Sequence, residues 1–465
     1  MSSTPSVPEA ERRIGISCYA TRSPGTGGRL RESPEDFQVE ELLPRDEVPP
    51  GKGTASIIKV RTRDWDTLRL ASRIAREFGI SRHRVRYAGT KDKRAVCTRH
   101  FSVNVPLERA REIRIADVEL LDAWTGPALV LGALDGNRFS ITIASPGVPG
   151  EEAERLARTT LEELGRLGGF PNFFGPQRFG GTRATTHLVG RQLALGDLEE
   201  AVKVYIAHDD SEEKALLGSA LEIDETNDVE DHDTEVPMET GPSPTSIARQ
   251  AFARGEDLRK VLELFPRRAT FERTLIQSLI EAPGDHPRAL RSLPKGLVWM
   301  FVHALQSQLF NIALSRRLEQ GIGPNEPQVG DLLLVKSPSG FESRLVPVET
   351  TNLAKVSEHA RAGRLFVSGA LPGPECPSAG GPQGEIESSV LREQGLDPKM
   401  FTIPGIPEAS SKGSRRALLC PLAGVDARSS ARGLLLEFRL PPGCYATVLT
   451  REIIKPSDAD YPHTV

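Results

Sequence analysis

Apolar residues in this chain recur at two spacings. Leu68, Ala71, Ala75 and Phe78 share a helical face, with Asp66 placed to cap it and Gly79 just past its end. The pattern predicts an amphipathic helix leading into a basic turn. Glu151 to Leu167 predicts a second helix, and Val298, Val302, Leu305, Leu309 and Ile312 a third, stronger one. Four stretches, SIIKV, FSITI, LLLEFRL and YATVL, are rich in β-branched or aromatic residues and bounded by Gly, Pro or Asn, which predicts strands. Strands toward both ends with helices between give a mixed α/β chain, a sheet domain interrupted by an inserted one. No repeat of fixed period is present, which excludes solenoids and propellers.

Two breaks interrupt the pattern. The acidic stretch from about 209 to 245 is poor in aromatics and closes on prolines, so it reads as a solvated insertion with at most one short helix. Ser368 to Glu385 is dense in Pro and Gly and reads as a loop or turn cluster. At 465 residues the chain holds two or three domains. No apolar run approaches the roughly 20 residues of a membrane span, and the first residues carry neither a signal core nor a presequence. A cytoplasmic protein without membrane attachment is expected. Five scattered cysteines (Cys18, Cys97, Cys376, Cys420, Cys444) support neither a disulfide framework nor a zinc site. His303 and His359 lack partners at ligand spacing.

The net charge of −4 averages two unequal regions. Residues 51–100 carry 14 Lys/Arg against 4 Asp/Glu, whereas 209–239 carries 13 acids and one base, so the rest of the chain is basic. Of 59 cations, 46 are arginine, whose planar fork pairs with phosphate and stacks on bases. A solvated basic face would give the same count.

The richest stretch for chemistry is Arg82 to Val103, RHRVRYAGTKDKRAVCTRHFSV. It sets one carboxylate, Asp92, among Lys91, Lys93 and Arg94, after Arg84 and Arg86. Cations keep a carboxylate ionised and collect phosphate backbone, so Asp92 suits a nucleophile or base acting on nucleic acid; a lone turn Asp that caps the next element fits the same letters. GTGGRLRESPEDFQVEE lacks the spacing of a nucleotide-binding loop. In LDGNRFSITI, Phe139 is either a core aromatic or a stacking surface for an extruded base. NFFGPQRFGG, with Arg178, and LPPGCYATVLTREI are Gly-, aromatic- and Arg-rich corners of the kind found beside a cleft.

Taken in order, RESPEDFQVEE, YAGTKDKRAVCTRHF, GNRFSI, NFFGPQRFGG, FVHALQSQLFN and LPPGCYATVLTREI resemble the motifs of the TruD family of tRNA pseudouridine synthases, from about Ile14 to Lys455. The likeness is to its archaeal members. It implies an α+β, V-shaped, two-lobed protein: a catalytic domain with a mixed sheet (14–170 and 406–465) interrupted by an α/β TRUD domain (171–405), after a disordered N-terminus (1–13). It implies isomerisation of uridine to pseudouridine in tRNA, at uridine 13 of the D arm, by a monomer that needs no cofactor or metal. By motif, Asp92 would be the catalytic aspartate, Phe139 the ring that stacks on uracil, and Asn137 and Phe37 further pocket residues. Arg31 stands where relatives carry the lysine that pairs with the aspartate, which keeps the charge and changes the geometry. Arg84, Arg86, Lys91, Lys93, Arg94 and Arg178 are the RNA-binding candidates. Two other classes share some of these features: a non-catalytic RNA-binding or chaperone protein, for which the basic segment alone suffices, and a metal-dependent hydrolase, which would need a second carboxylate beside Asp92.

Overall fold

The computed structural model describes residues 5–43, 55–91, 94–180, 184–208, 243–337 and 340–464. The alternating stretches from the two chain ends meet in one sheet. From the first part come β1 (Phe37–Leu42), β2 (Ala55–Arg63), β3 (Val85–Tyr87), β4 (Val96–Val103), β5 (Val118–Gly126) and β6 (Gly136–Ile143). The far end of the chain adds β13 (Ala423–Ser430) and β14 (Gly433–Leu440). Their order is β13-β14-β6-β1-β4-β2-β5, with β3 paired to β4. β1 and β4 run parallel and the other neighbours antiparallel, so the sheet is mixed.

Residues between these strands build a second sheet, ordered β11-β10-β8-β9. It comprises β8 (Leu332–Ser337), β9 (Gly340–Pro347), β10 (Leu365–Leu371) and β11 (Ser414–Ala417), with a set of helices beside it. Short strands β7 (Gly169–Pro171) and β12 (Leu419–Pro421) pair antiparallel, so the chain enters and leaves the insertion side by side. β11 carries the second sheet to Ala417, past the boundary expected at 405.

The long helix Lys295–Glu319 joins the parts. Val298, Val302, Leu305 and Leu309 pack into a helical core, while Ala304, Phe310 and Leu314 belong to the core that underlies the first sheet. Burial on two faces explains why it is apolar nearly all round. By length and composition this helix would pass for a membrane span, although no unbroken apolar run in the chain is that long; 67% of its apolar window is buried inside the fold. Its C-terminal half is fixed by Arg317, fully buried, which donates to Asp331 at 2.9 Å and to Gln383 at 3.1 Å.

Several sequence expectations change. Helix Thr67–Phe78 has the expected caps, with Asp66 accepting from the Leu68 and Arg69 N–H groups and Gly79 at φ +60°. Its buried stripe, however, is Leu70, Ala71, Ile74, Ala75 and Phe78, which satisfies both i+3 and i+4 spacing, and Leu68 at the edge is 52% exposed. YATVL is not a strand: Ala446–Ile454 is a helix with every residue buried, where tertiary packing overrides β propensity. Within Ser368–Glu385, strand β10 runs through Leu371 and helix Gly381–Glu393 starts at the second glycine of the pair Gly380-Gly381, so the irregular part is shorter than expected. Residues 9–13 are helical, and the buried Glu11 pairs with Arg451 at 2.6 Å, so this part of the N-terminus is tied down rather than disordered. The acidic stretch 209–242 lies outside the described residues; 244–253 is helix.

Candidate active site

Strand alternation assembles one wall. β6 lies between β1 and β14, and register sets Phe139 opposite both Val39 and Phe438, and Asn137 opposite Glu41 and Leu440. Residues two apart share a face, so Phe37, Val39, Asn137 and Phe139 are brought together, while Arg138 on the other face pairs with Glu40 at 2.8 Å. Phe139 stacks on Phe438 with centroids 5.2 Å apart and meets the edge of Phe37 at 6.2 Å. Phe139 is therefore a core ring that also lines a cavity of about 340 Å³.

That cavity is bounded by Phe37, Asn137, Phe139, Thr90, Lys91, Gln177, Arg178, Met300, Tyr445 and Thr447, among others. Asn137 Oδ1 is buried without a hydrogen-bond partner among the described residues. A buried acceptor left unpaired costs about 1–3 kcal/mol, a cost that an N–H donor placed in the cavity would relieve.

Thr90 and Lys91 of the GTKDK motif form a second wall. Lys91 and Glu41 make an ion pair of 2.6 Å with side chains 7% and 0% exposed. Glu41 also accepts from the His100 backbone N–H at 2.8 Å, with the His100 ring at 3.3 Å. Burial alone would raise the Glu41 pKa; the hydrogen bond from His100 and the Lys91 charge outweigh it, so the carboxyl lies below the usual range. Lys91 was expected to contact RNA. Its ammonium is instead committed to a buried carboxylate, which fixes the backbone next to Asp92. Asp92 and Lys93 lie outside the described residues.

The PEDF segment folds on itself for a local reason. Pro34 opens a short 3₁₀ turn, the Ser33 N–H and hydroxyl both donate to Asp36, and Asp36 meets Arg432 at 2.7 Å. This turn delivers Phe37 to the sheet. Arg31 has left-handed backbone at φ +59°, which costs a non-glycine residue about 1–2 kcal/mol. Its guanidinium lies 4.2 Å from the centre of the Phe37 ring, so the expected pocket cation is held against a pocket aromatic. Arg94 is exposed and donates to the Glu32 carbonyl at 3.1 Å, tying the GTKDK loop to the Arg31 segment.

The third wall comes from the insertion and the C-terminal helix. Arg178, in the 3₁₀ turn Pro176–Phe179, donates to Ser307 at 3.2 Å and lies 5.7 Å from the Phe174 ring. Burial lowers its pKa below the usual arginine value. His303 lies close by, and burial followed by the Arg178 charge pushes its pKa down to about 4, so its ring is neutral. Arg416, not foreseen, lies 4.0 Å over the same Phe174 ring and donates to Asn172. Gln177, Tyr445 and Thr447 stood inside motifs picked out by sequence without being singled out; Met300 carried no signal at all. Arg84 and Arg86 do not join this cavity. Both are exposed near the sheet edge, Arg86 beside Val130 and Leu131. Among the described residues no group of three His, Cys, Asp or Glu side chains is arranged to hold a metal ion.

A larger groove of about 730 Å³ lies between helices Thr270–Glu281 and His286–Arg291, but three of the arginines that line it are occupied. Arg273 donates to the Phe265 carbonyl, Arg288 pairs with Glu281 and Arg291 with Glu408. The sheet pocket differs in bringing together the residues of four of the sequence motifs, Phe37, Lys91, Phe139 and Arg178.

The crystal structure of a Methanosarcina mazei protein assigned to tRNA pseudouridine synthase D superposes with a TM-score of 0.78, at 35% identity, covering 98% of this chain and 99% of that one. The architecture is accordingly that of the α+β pseudouridine synthases. The model of the family tRNA pseudouridine synthase D (TruD) matches residues 13–241 and 235–453. Relatives named "Probable tRNA pseudouridine synthase D" include one from Methanosarcina mazei, 37% identical over 97% of this chain and 98% of the relative, and one from Halobacterium salinarum, 36% identical over 96% and 98%. The chain belongs to the TruD family.

Proposed function

We propose that this protein converts uridine to pseudouridine in tRNA, at uridine 13 of the D arm, with Asp92 as the catalytic carboxylate. The observation that carries this reading is the pocket beside Thr90 and Lys91 of the GTKDK motif: an aromatic wall of Phe139 and Phe37 next to a buried acceptor, Asn137 Oδ1, without a hydrogen-bond partner among the described residues. Uracil matches both, since its face stacks and its N3–H donates. Extruding the nucleotide costs a few kcal/mol, and stacking on Phe139 returns about 1–3. The C1′–N1 bond then breaks, the base turns within the pocket, and C5 bonds to C1′. The C5 hydrogen leaves to solvent and N1 takes up a proton, so the reaction is an isomerisation with no net redox change. Asp92 opens it at uracil C6 or ribose C1′, kept ionised by the cations around it in sequence. Arg31, held against Phe37, supplies positive charge beside the base. The enzyme acts as a cytoplasmic monomer without cofactor.

Tritium release from tRNA labelled at uridine C5, with mapping of the product, tests this. Wild type releases tritium at one D-arm position and Asp92→Asn releases none while binding tRNA at least as well, because a negative charge is removed from a basic site. Binding by wild type without release would leave only a non-catalytic RNA-binding role.

A further inference from the structure

The side of the long helix that meets the pocket carries more than the pocket uses. At 3.6 residues per turn, positions 296, 299, 300, 303 and 307 fall on one side. Met300 lines the cavity, and Ser307 accepts from Arg178. Val298, Phe301, Val302 and Leu305 turn the other way into the helical core. Trp299 thus faces the pocket side, yet it is 49% exposed. Its indole rests on His303 with ring centroids 3.8 Å apart. His303 Nε2 is buried without a hydrogen-bond partner among the described residues. Next to Trp299, Gly296 leaves open space, for a Cβ there would meet nothing within 4 Å, and Lys295 is exposed.

Trp299 is continuous with the pocket through Met300, its chain neighbour and a lining residue, and through the series Arg178, Ser307, His303 and Trp299. We propose that Trp299 is the stacking platform for an unpaired base of the substrate RNA adjacent to the reacting nucleotide. Phe139 and Trp299 then grip two successive bases, and His303 backs the indole. Every base has a face to stack, which makes such a platform tolerant of sequence. Lys295 supplies positive charge for the connecting phosphate. This exposed cation beside Trp299 favours a polyanion, RNA, as the occupant. The inference rests on the reading that RNA enters this pocket.

The test uses the full-length enzyme and an unmodified tRNA transcript. Trp299→Ala should raise both KM and the Kd for tRNA by about 5- to 100-fold, the range of one lost base stack, with kcat at saturation within about threefold of wild type. Trp299→Phe should recover most of that affinity. Binding tRNA should quench part of the wild-type tryptophan emission, and that part should be absent in Trp299→Phe. Unchanged KM and Kd in Trp299→Ala, or full quenching in Trp299→Phe, overturns the proposal. If wild type makes no pseudouridine, the functional reading fails, while the Kd and quenching arms still decide the platform.

Discussion

The pair Glu41 and Lys91 gives the sharpest test of how the GTKDK loop is held. Glu41→Gln removes the carboxylate and leaves the Lys91 ammonium 7% exposed with no anion. At 2.6 Å and an effective dielectric of about 20, the lost attraction is about 6 kcal/mol, of which desolvation already offsets a part. Breaking one side of a buried pair costs about 3–5 kcal/mol net, because the remaining charge is stranded. Urea denaturation at pH 7 should therefore show Glu41→Gln and Lys91→Met each destabilised by about that amount. Glu41→Gln with Lys91→Met in one chain should recover most of the loss, giving a coupling of about 2 kcal/mol or more. The pH dependence has a definite sign. The Glu41 pKa is lowered in the fold, so the pair's contribution is fully present above the unfolded value of about 4.3 and is lost as pH falls through the folded one. Wild type should lose this increment below about pH 4, and Glu41→Gln should not. A coupling under about 0.5 kcal/mol, or a Lys91→Met protein of normal stability that has lost only tRNA affinity, would refute the structural role and return Lys91 to the RNA-binding set.

Three further outcomes are expected. Arg451→Ala should destabilise the protein by about 3–5 kcal/mol in thermal or urea unfolding, because Arg451 bonds Glu11, Glu452 and the Cys18 carbonyl and so ties the N-terminal segment to the C-terminal helix; a loss under about 1 kcal/mol would mean the network is not holding them. His187 is 3% exposed, its Nδ1 has no hydrogen-bond partner among the described residues, and burial pushes its pKa down to about 4. The unfolded chain binds that proton from about pH 6.5 downward, so stability should fall by up to about 1.4 kcal/mol per pH unit between there and pH 4, and His187→Leu should flatten the slope. Phe139→Leu keeps a buried apolar side chain but removes the ring face; turnover on tRNA should drop about 10-fold or more with a small change in melting temperature, and unchanged kinetics would show that the ring does not stack on the substrate base.

Where sequence reading succeeded and failed follows the range of the forces involved. FSITI and LLLEFRL were legible because β6 and β14 alternate, with one face buried in the core and Arg138 and Arg439 turned out. The Phe37, Asn137 and Phe139 cluster was reached through motif resemblance, and its geometry then follows from register alone. Two readings that distant contacts change share one cause. In YATVL the letters favour a strand, but Arg451 two residues on from Leu449 needs Glu11 from the other end of the chain, and a helix lets that pair form while Leu449 and Ile453 stay in the core. Lys91 likewise reads as a phosphate contact within AGTKDK, because its partner Glu41 lies 50 residues earlier, on β1.

A charge in a motif therefore has two possible uses that local sequence does not separate: facing the ligand, or being neutralised behind it. In this pocket the structure sorts them. Lys91 and Asp36 are neutralised by Glu41 and Arg432 and set the backbone of the two loops, whereas Arg178 spends its hydrogen bond on a neutral hydroxyl and keeps its full charge at the cavity wall. The net field in the pocket thus comes from fewer cations than the sequence contains. An RNA phosphate near the reacting nucleotide should meet Arg178 before it meets Lys91, and Arg178→Gln should weaken tRNA binding with a shallower salt dependence, by close to one counterion. Lys91→Met, judged at a temperature where it remains folded, should leave the salt slope unchanged. Equal slopes for Arg178→Gln and wild type would show that the cavity arginine does not meet phosphate and that the sorting by pairing fails.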